Sequence, residues 1–219
     1  MKAVLSWSGG KDSALALYYT KKDQNIEIVS LLTTITEQYQ RISMHGVRKE
    51  LLEEQSIKLG IPLEIVYIPI DCSNEKYNSI MEKTMLKLKN DTITSVIFGD
   101  IFLKGIRKYR ENNLSKIGMS AFFPLWDQST EKLAYKFINL GFKAIITCID
   151  STFLDDSFIG REYDEDFIAD LPEKVDPCGE NGEFHTFVYD GPLFEDSVTF
   201  QLGKVEFRDN RFYFKDLLI

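Results

Sequence analysis

The 219-residue chain reads as an α/β protein: a parallel sheet with helices on both faces, followed by a smaller C-terminal α+β lobe. Three observations predict this. Short β-branched, apolar segments alternate with segments of helical apolar spacing to about residue 150, an order that builds parallel sheets. A glycine-rich turn joins the first strand to the first helix. Beyond residue 150 an acidic, irregular stretch gives way to an aromatic-rich hairpin. The expected division is therefore 1–150 and 151–219.

Ala3 to Leu5 reads as a short buried strand, and Asp12 to Lys22 as a helix with Ala14, Leu15 and Leu17 on its apolar face. Ile26 to Thr33 is a β-branched strand. Met44 to Leu59 has helical spacing at Val47, Leu51, Leu52, Gln55 and Leu59, stopped by Gly60 and Pro62. Leu63 to Ile68 is a strand, Asn74 to Asn90 an amphipathic helix, and Thr94 to Phe98 a strand ending at Gly99-Asp100. A helix follows from Phe102 to Lys116, then a short buried piece from Phe122 to Leu125. Thr130 to Leu140 is a helix closed by Gly141, and Lys143 to Ile149 another apolar strand. Residues 151–182 carry one helical candidate, Asp164 to Leu171. Val198 to Arg208 and Arg211 to Leu217 form a hairpin about Asp209-Asn210.

Composition narrows the function. A chain this long buries roughly 70% of its unfolded surface, so the core needs no staple. No secretory leader and no run of about 18 apolar residues is visible, so a cytoplasmic protein with no membrane partner is expected. Cys72, Cys148 and Cys178 form no Cys-x-x-Cys pair, which points to reduced thiols rather than a zinc or redox site. The net charge of -8 repels polyanions and makes nucleic acid an unfavourable partner. The densest basic segment, Lys104 to Arg110, suits a nucleotide's phosphates better than a nucleic-acid footprint.

The chemistry sits in Ser6-Trp7-Ser8-Gly9-Gly10-Lys11-Asp12-Ser13. A glycine-rich turn into a helix N-terminus directs backbone N–H groups at an anion. Gly9 and Gly10 permit close approach and positive φ, Lys11 adds a charge, and Ser8 and Ser13 add hydroxyls. It is not a Walker A loop, because Asp12 stands where Ser or Thr is needed, nor a Rossmann Gly-x-Gly-x-x-Gly.

Ser8-Gly9-Gly10-Lys11-Asp12-Ser13 after the first strand resembles the PP-loop of the N-type ATP pyrophosphatases. Other segments are similar to the diphthine–ammonia ligase family. These are Ser43-Met44-His45-Gly46-Val47-Arg48, Phe98-Gly99-Asp100-Ile101, Pro124-Leu125-Trp126, Asp176 to Phe187 with its Gly-Glu-x-Gly-Glu-Phe-His-Thr signature, and Asp190 to Phe194. Trp7 and the Ser43 to Val47 segment look like a bacterial-type member. The resemblance implies a Rossmann-like fold and an ATP-dependent ligase. ATP would adenylate a carboxylate, with pyrophosphate leaving, and ammonia would then displace AMP. In that family the acceptor is diphthine on elongation factor 2.

Carried onto this chain, the resemblance implies that Lys11 and Asp12 are catalytic. ATP would be held by Ser6, Ser8, Gly9, Gly10, Lys11, Asp12, Ser13, Gly99 and Asp100, with Thr33 at the adenine. Magnesium would ride mainly on the ATP phosphates. His45, Glu180, Gly182, Glu183, His185 and Thr186 would bind the acceptor or ammonia. Blander readings stand beside these: packed histidines, a solvated acidic loop for Glu180 and Glu183, and a solvated helix face for Arg107 and Arg110. Trp126 and Cys178 read as structural. Other outcomes are another acceptor, RNA thiolation, or a nucleotide-binding module without turnover. A homo-oligomer through the aromatic hairpin is possible.

Overall fold

In the computed structural model, which describes residues 1–42 and 46–219, two sheets share one chain. The first contains β1 (Lys2–Ser6), β2 (Glu27–Thr36), β3 (Arg41–Ile42), β4 (Leu63–Ile68), β5 (Ser95–Ile97) and β6 (Ser120–Phe122). Apart from the antiparallel β2–β3 contact, its pairings are parallel: β1 with β2 and β5, β2 with β4, and β5 with β6. The helices α1 (Lys11–Lys21), α2 (Lys49–Leu59), α3 (Asn74–Asn90) and α4 (Lys104–Lys116) connect these strands.

The period of two along β1 separates two cores. Ala3 and Leu5 join a large buried cluster with Leu15, Leu52 and Phe187, whereas Val4 faces a second cluster with Leu32, Met85, Phe98 and Leu114. The chain leaves β1 toward β2 and β4, then crosses back to place β5 on the other side of β1. That reversal opens a crevice at the carboxyl ends of β1 and β5, where open α/β sheets bind ligands.

The second sheet is antiparallel, in the order β8-β7-β10-β9. It comprises β7 (Lys143–Asp150), β8 (Phe184–Asp190), β9 (Gln201–Arg208) and β10 (Phe212–Leu218), with α5 (Thr130–Asn139) before it and α6 (Glu165–Asp170) between β7 and β8. Asp209 and Asn210 take φ of 55° and 50°, the left-handed pair that a tight hairpin requires. Here the alternation misleads: it assigns Lys143 to Ile149 to the parallel sheet, but β7 is central in the antiparallel one. A strand buried on both faces shows the same unbroken apolar run in either setting. Three strands go unread in the sequence: the two-residue β3; β6 at Ser120–Phe122, which precedes the piece read as buried at Phe122 to Leu125 and leaves Phe122 exposed; and β8, which the glycines and acids before it disguise as loop.

Buried polar contacts join the sheets. The Gln55 side chain is fully buried on α2; its Oε1 accepts the Trp7 indole N–H at 2.8 Å, and its Nε2 donates to Gly9 O at 3.0 Å and Val188 O at 2.6 Å. Farther out, Asp216 on β10 receives Arg48 in a two-pronged pair and Arg41 at 2.8 Å. Despite partial burial, the two guanidinium groups hold its carboxyl at about 2. Gly46 packs so closely on the Phe214 ring that a Cβ there would lie 2.7 Å from it.

Replacing Gln55 by Leu keeps the bulk but strands the Trp7 indole and the Val188 carbonyl. The expected loss is roughly 2–4 kcal/mol in urea unfolding. A loss below about 0.5 kcal/mol would mean that packing alone holds the loop.

Candidate active site

The turn from β1 into α1 is shaped by what surrounds it. Trp7, only 1% exposed, keeps strand geometry by donating its backbone N–H to Leu32 O at 2.8 Å. Gly9 then turns with φ +75°, and its carbonyl accepts from Val188 N at 2.8 Å. A Cβ on Gly9 would sit 2.7 Å from Leu52, so no larger residue fits. Gly10, in extended conformation, starts α1. Ser13 Oγ donates to Gly10 O at 2.8 Å and shares a hydrogen bond with Ser8 Oγ at 3.3 Å. Across the crevice Gly99 presses on the first turn of α1: a Cβ there would lie 2.8 Å from the Asp12 carbonyl carbon.

Two cavities meet at this loop. One, of about 350 Å³, is largely apolar and lies among β2, α3 and α4, with Leu32, Thr33, Met81, Met85, Phe98 and Leu114 in its walls. The Thr33 hydroxyl is buried there with no hydrogen-bond partner among the described residues. The other, of about 270 Å³, is polar and lined by Lys11, Asp12, Asp100, Glu180 and their neighbours. Ser6, Ser8, Phe98, Arg110 and His185 line both, so the cavities are contiguous.

Lys11 is 3% exposed, and its ammonium donates to Asp12 Oδ2 at 2.9 Å and to the Cys178 carbonyl. It lies over the Phe184 ring at 5.3 Å and the Tyr163 ring at 5.7 Å. Burial is the largest single influence and works against its charge, but the surrounding groups together, Asp12 foremost and Glu180 among them, raise the Lys11 pKa, so it stays cationic. The other Asp12 oxygen, Oδ1, is buried without a partner. Asp100 pairs with Arg110 at 3.0 Å, and that guanidinium lies 4.2 Å from the Phe98 ring centre.

The far wall is the segment from Asp176 to Thr186. The Asp176 carboxylate folds it by accepting from Cys178 N at 2.9 Å and Glu180 N at 3.2 Å. Glu183 is 1% exposed and turned into the same loop, accepting from Asp176 N, Asn181 N and Asn181 Nδ2. Glu180 points the other way. Its Oε1 accepts from Ile101 N at 2.7 Å and Phe102 N at 3.3 Å, and burial pushes its carboxyl up to about 7. Thr186 Oγ accepts the backbone N–H of Lys11 at 3.0 Å, which ties β8 to the start of α1.

The structure thus gathers Ser6, Ser8, Gly10, Lys11, Asp12, Ser13, Gly99, Asp100, Glu180, Gly182, His185 and Thr186 around the polar cavity, with Thr33 in the apolar one. Gly9 and Glu183 line neither; each faces protein. His45 lies outside the described residues. Arg110 lines both cavities, whereas Arg107 pairs with Glu111 and covers Trp126 at 4.5 Å. Cys178 is a buried thiol donating to Thr130 O at 3.3 Å, with its pKa raised by burial. Sequence reasoning missed Tyr77, Met81 and Met85, which line the apolar cavity from α3. Their spacing of four was the available signal.

Among the described residues no group of three or more His, Cys, Asp or Glu is placed to hold a metal. Among the described residues no helix is long and apolar enough to cross a membrane.

The family model for the diphthamide synthase N-terminal domain matches residues 1–121, and that for the C-terminal domain matches residues 129–215. The chain belongs to the diphthamide synthase family. Among its relatives, the mouse diphthine–ammonia ligase is 26% identical over 223 residues, covering 90% of this chain and 82% of the mouse protein. The bovine diphthine–ammonia ligase is 27% identical over 139 residues, which covers 61% of this chain and about half, 52%, of the bovine protein. A solved structure, the U34-tRNA thiolase of Methanococcus maripaludis, aligns over 64% of this chain and 57% of its own at 19% identity. Its TM-score of 0.38 is too low to support a functional conclusion.

The Glu180 carboxyl gives a pH signature. The fold raises its pKa from 4.5 to about 7, so the fold favours the protonated form. Its contribution is fullest below pH 4.5 and declines as pH rises through about 7. Glu180→Gln should therefore gain stability over the parent between pH 5 and pH 8, by up to about 3 kcal/mol. Melting curves across that range check it, and a pH-independent difference would count against a raised carboxyl.

Proposed function

We propose that this family member is an ATP-dependent amide-forming ligase that adenylates a carboxylate and passes the acyl group to ammonia. The observation that carries this reading is the continuity of the two cavities. The apolar one suits a purine, with the unpartnered Thr33 hydroxyl at its wall. The polar one joins it at Ser6 and Ser8 and suits phosphates and a second substrate. A nucleotide-binding module without turnover would need no second wall of the kind that Glu180, Gly182 and His185 form. That the relatives are named diphthine–ammonia ligases supports diphthine on elongation factor 2 as the acceptor.

A carboxylate is a poor acyl donor, and adenylation replaces its oxide with AMP as leaving group. Lys11 and the loop at the start of α1 would stabilise charge developing on departing pyrophosphate, held in place before the reaction begins. Arg110, at the junction of the cavities, would meet the α-phosphate side. Magnesium would neutralise charge across the phosphates, and Asp12, with Oδ1 buried and unpartnered, is the carboxylate suited to hold it. The segment from Asp176 to Thr186 would hold the acceptor. A cytoplasmic location accords with this reading.

The test is product analysis with ATP, magnesium and ammonium, with and without elongation factor 2 carrying diphthine. AMP and pyrophosphate should appear in the presence of that factor, and Lys11→Ala should reduce their formation about 100-fold or more. AMP formed regardless of the factor would move the acceptor elsewhere. ADP and phosphate as products would overturn the adenylation reading.

A further inference from the structure

Ammonia poses a problem that adenylation does not. At neutral pH it is almost wholly ammonium, which has no lone pair until a proton leaves. The polar cavity brings Asp12 from α1, Asp100 from the end of β5 and Glu180 together, with Lys11, Arg110 and His185 as the cationic or titratable groups facing them. Asp12 is engaged by Lys11, and Asp100 by Arg110. Each of these carboxylates already has a cation against it. Glu180 has no such partner. Only Oε1 is hydrogen-bonded, to the Ile101 and Phe102 N–H groups, and Oε2 has no bond among the described residues. The two N–H groups fix the carboxyl at the cavity wall and leave one oxygen available. Glu183, the other acid of the same segment, is spent on holding the loop.

We propose, resting on the ligase reading above, that Glu180 is the general base that takes a proton from ammonium in the polar cavity. The N–H bond breaks, its electron pair stays on nitrogen, and the proton goes to Glu180. That pair then forms the C–N bond at the adenylated carbonyl. The C–O bond to AMP breaks, and AMP leaves with its electrons. The nitrogen sheds a second proton to solvent, and Glu180 returns its own by the same route. A carboxyl lifted to about 7 by burial has the proton affinity for this exchange near neutral pH.

Hydroxylamine, almost wholly neutral at neutral pH, needs no such deprotonation and separates a base from a merely positioning residue. With elongation factor 2 carrying diphthine as acceptor, kcat/KM is measured for ammonium and for hydroxylamine. The ammonium-to-hydroxylamine ratio should fall about 100-fold in Glu180→Gln, whose amide oxygen can still accept from Ile101. The levelling of that ratio above about pH 7 should disappear with it, leaving only the steady rise of free ammonia with pH. An equal loss with both nucleophiles, or no loss with ammonium, overturns the base. If Glu180→Gln does not fold, Glu180→Asp gives the same readout, and an unmoved ratio overturns the proposal. Failure of both nucleophiles with the parent protein overturns the ligase reading, and the base with it.

Discussion

The buried amide of Gln55 holds the glycine-rich loop where two halves of the chain meet. One of its ends receives the Trp7 indole from the loop; the other donates to Gly9 within the loop and to Val188 on the second sheet. The Val188 N–H then bonds the Gly9 carbonyl directly. A glycine-rich turn pays a large conformational entropy to be ordered. Here the order comes from outside the turn, from α2 behind it and β8 beside it. The loop's shape therefore depends on strands more than a hundred residues downstream.

The same dependence runs through the charges. Lys11 belongs to α1, yet its ammonium is seated on the Cys178 carbonyl and over the Phe184 ring. Glu180 belongs to the downstream loop, yet its carboxylate caps Ile101 and Phe102 at the end of β5. Each half thus supplies a group that the other half positions. In a chain with net charge -8, this seats Lys11 and Arg110 in one crevice, each against an acid of the same cavity. Arg110 shows the local arrangement: paired to Asp100 and stacked on Phe98, it faces both cavities with its direction held.

Much of this was legible from local pattern. The strand, glycine turn and helix at residues 3 to 22 stand where their spacing places them, with the helix N-terminus open to the polar cavity. The Asp209-Asn210 turn, the Gly60 stop and the apolar stripe of α2 follow from residue-level chemistry, and their positions agree with the structure to within a few residues. Glu180 and Glu183 were not separable on that basis. Three residues apart beside glycines, they look equivalent until one is found buried in its own loop and the other across the crevice.

Sequence alone determined the alternation of strands and helices, the glycine turn between β1 and α1, the absence of a Cys-x-x-Cys pair and the tight C-terminal hairpin. These rest on interactions between residues close in the chain, where spacing carries the physics. Tertiary structure decided that β7 joins the antiparallel sheet, that Gln55 is a polar keystone rather than one more core position, and that Gly9 faces protein while Gly10 borders the cavity. It also decided which of two glutamates lines the site. Each of those outcomes depends on long-range pairing and on which side chains burial leaves unsatisfied, and neither is encoded in the period of a single segment.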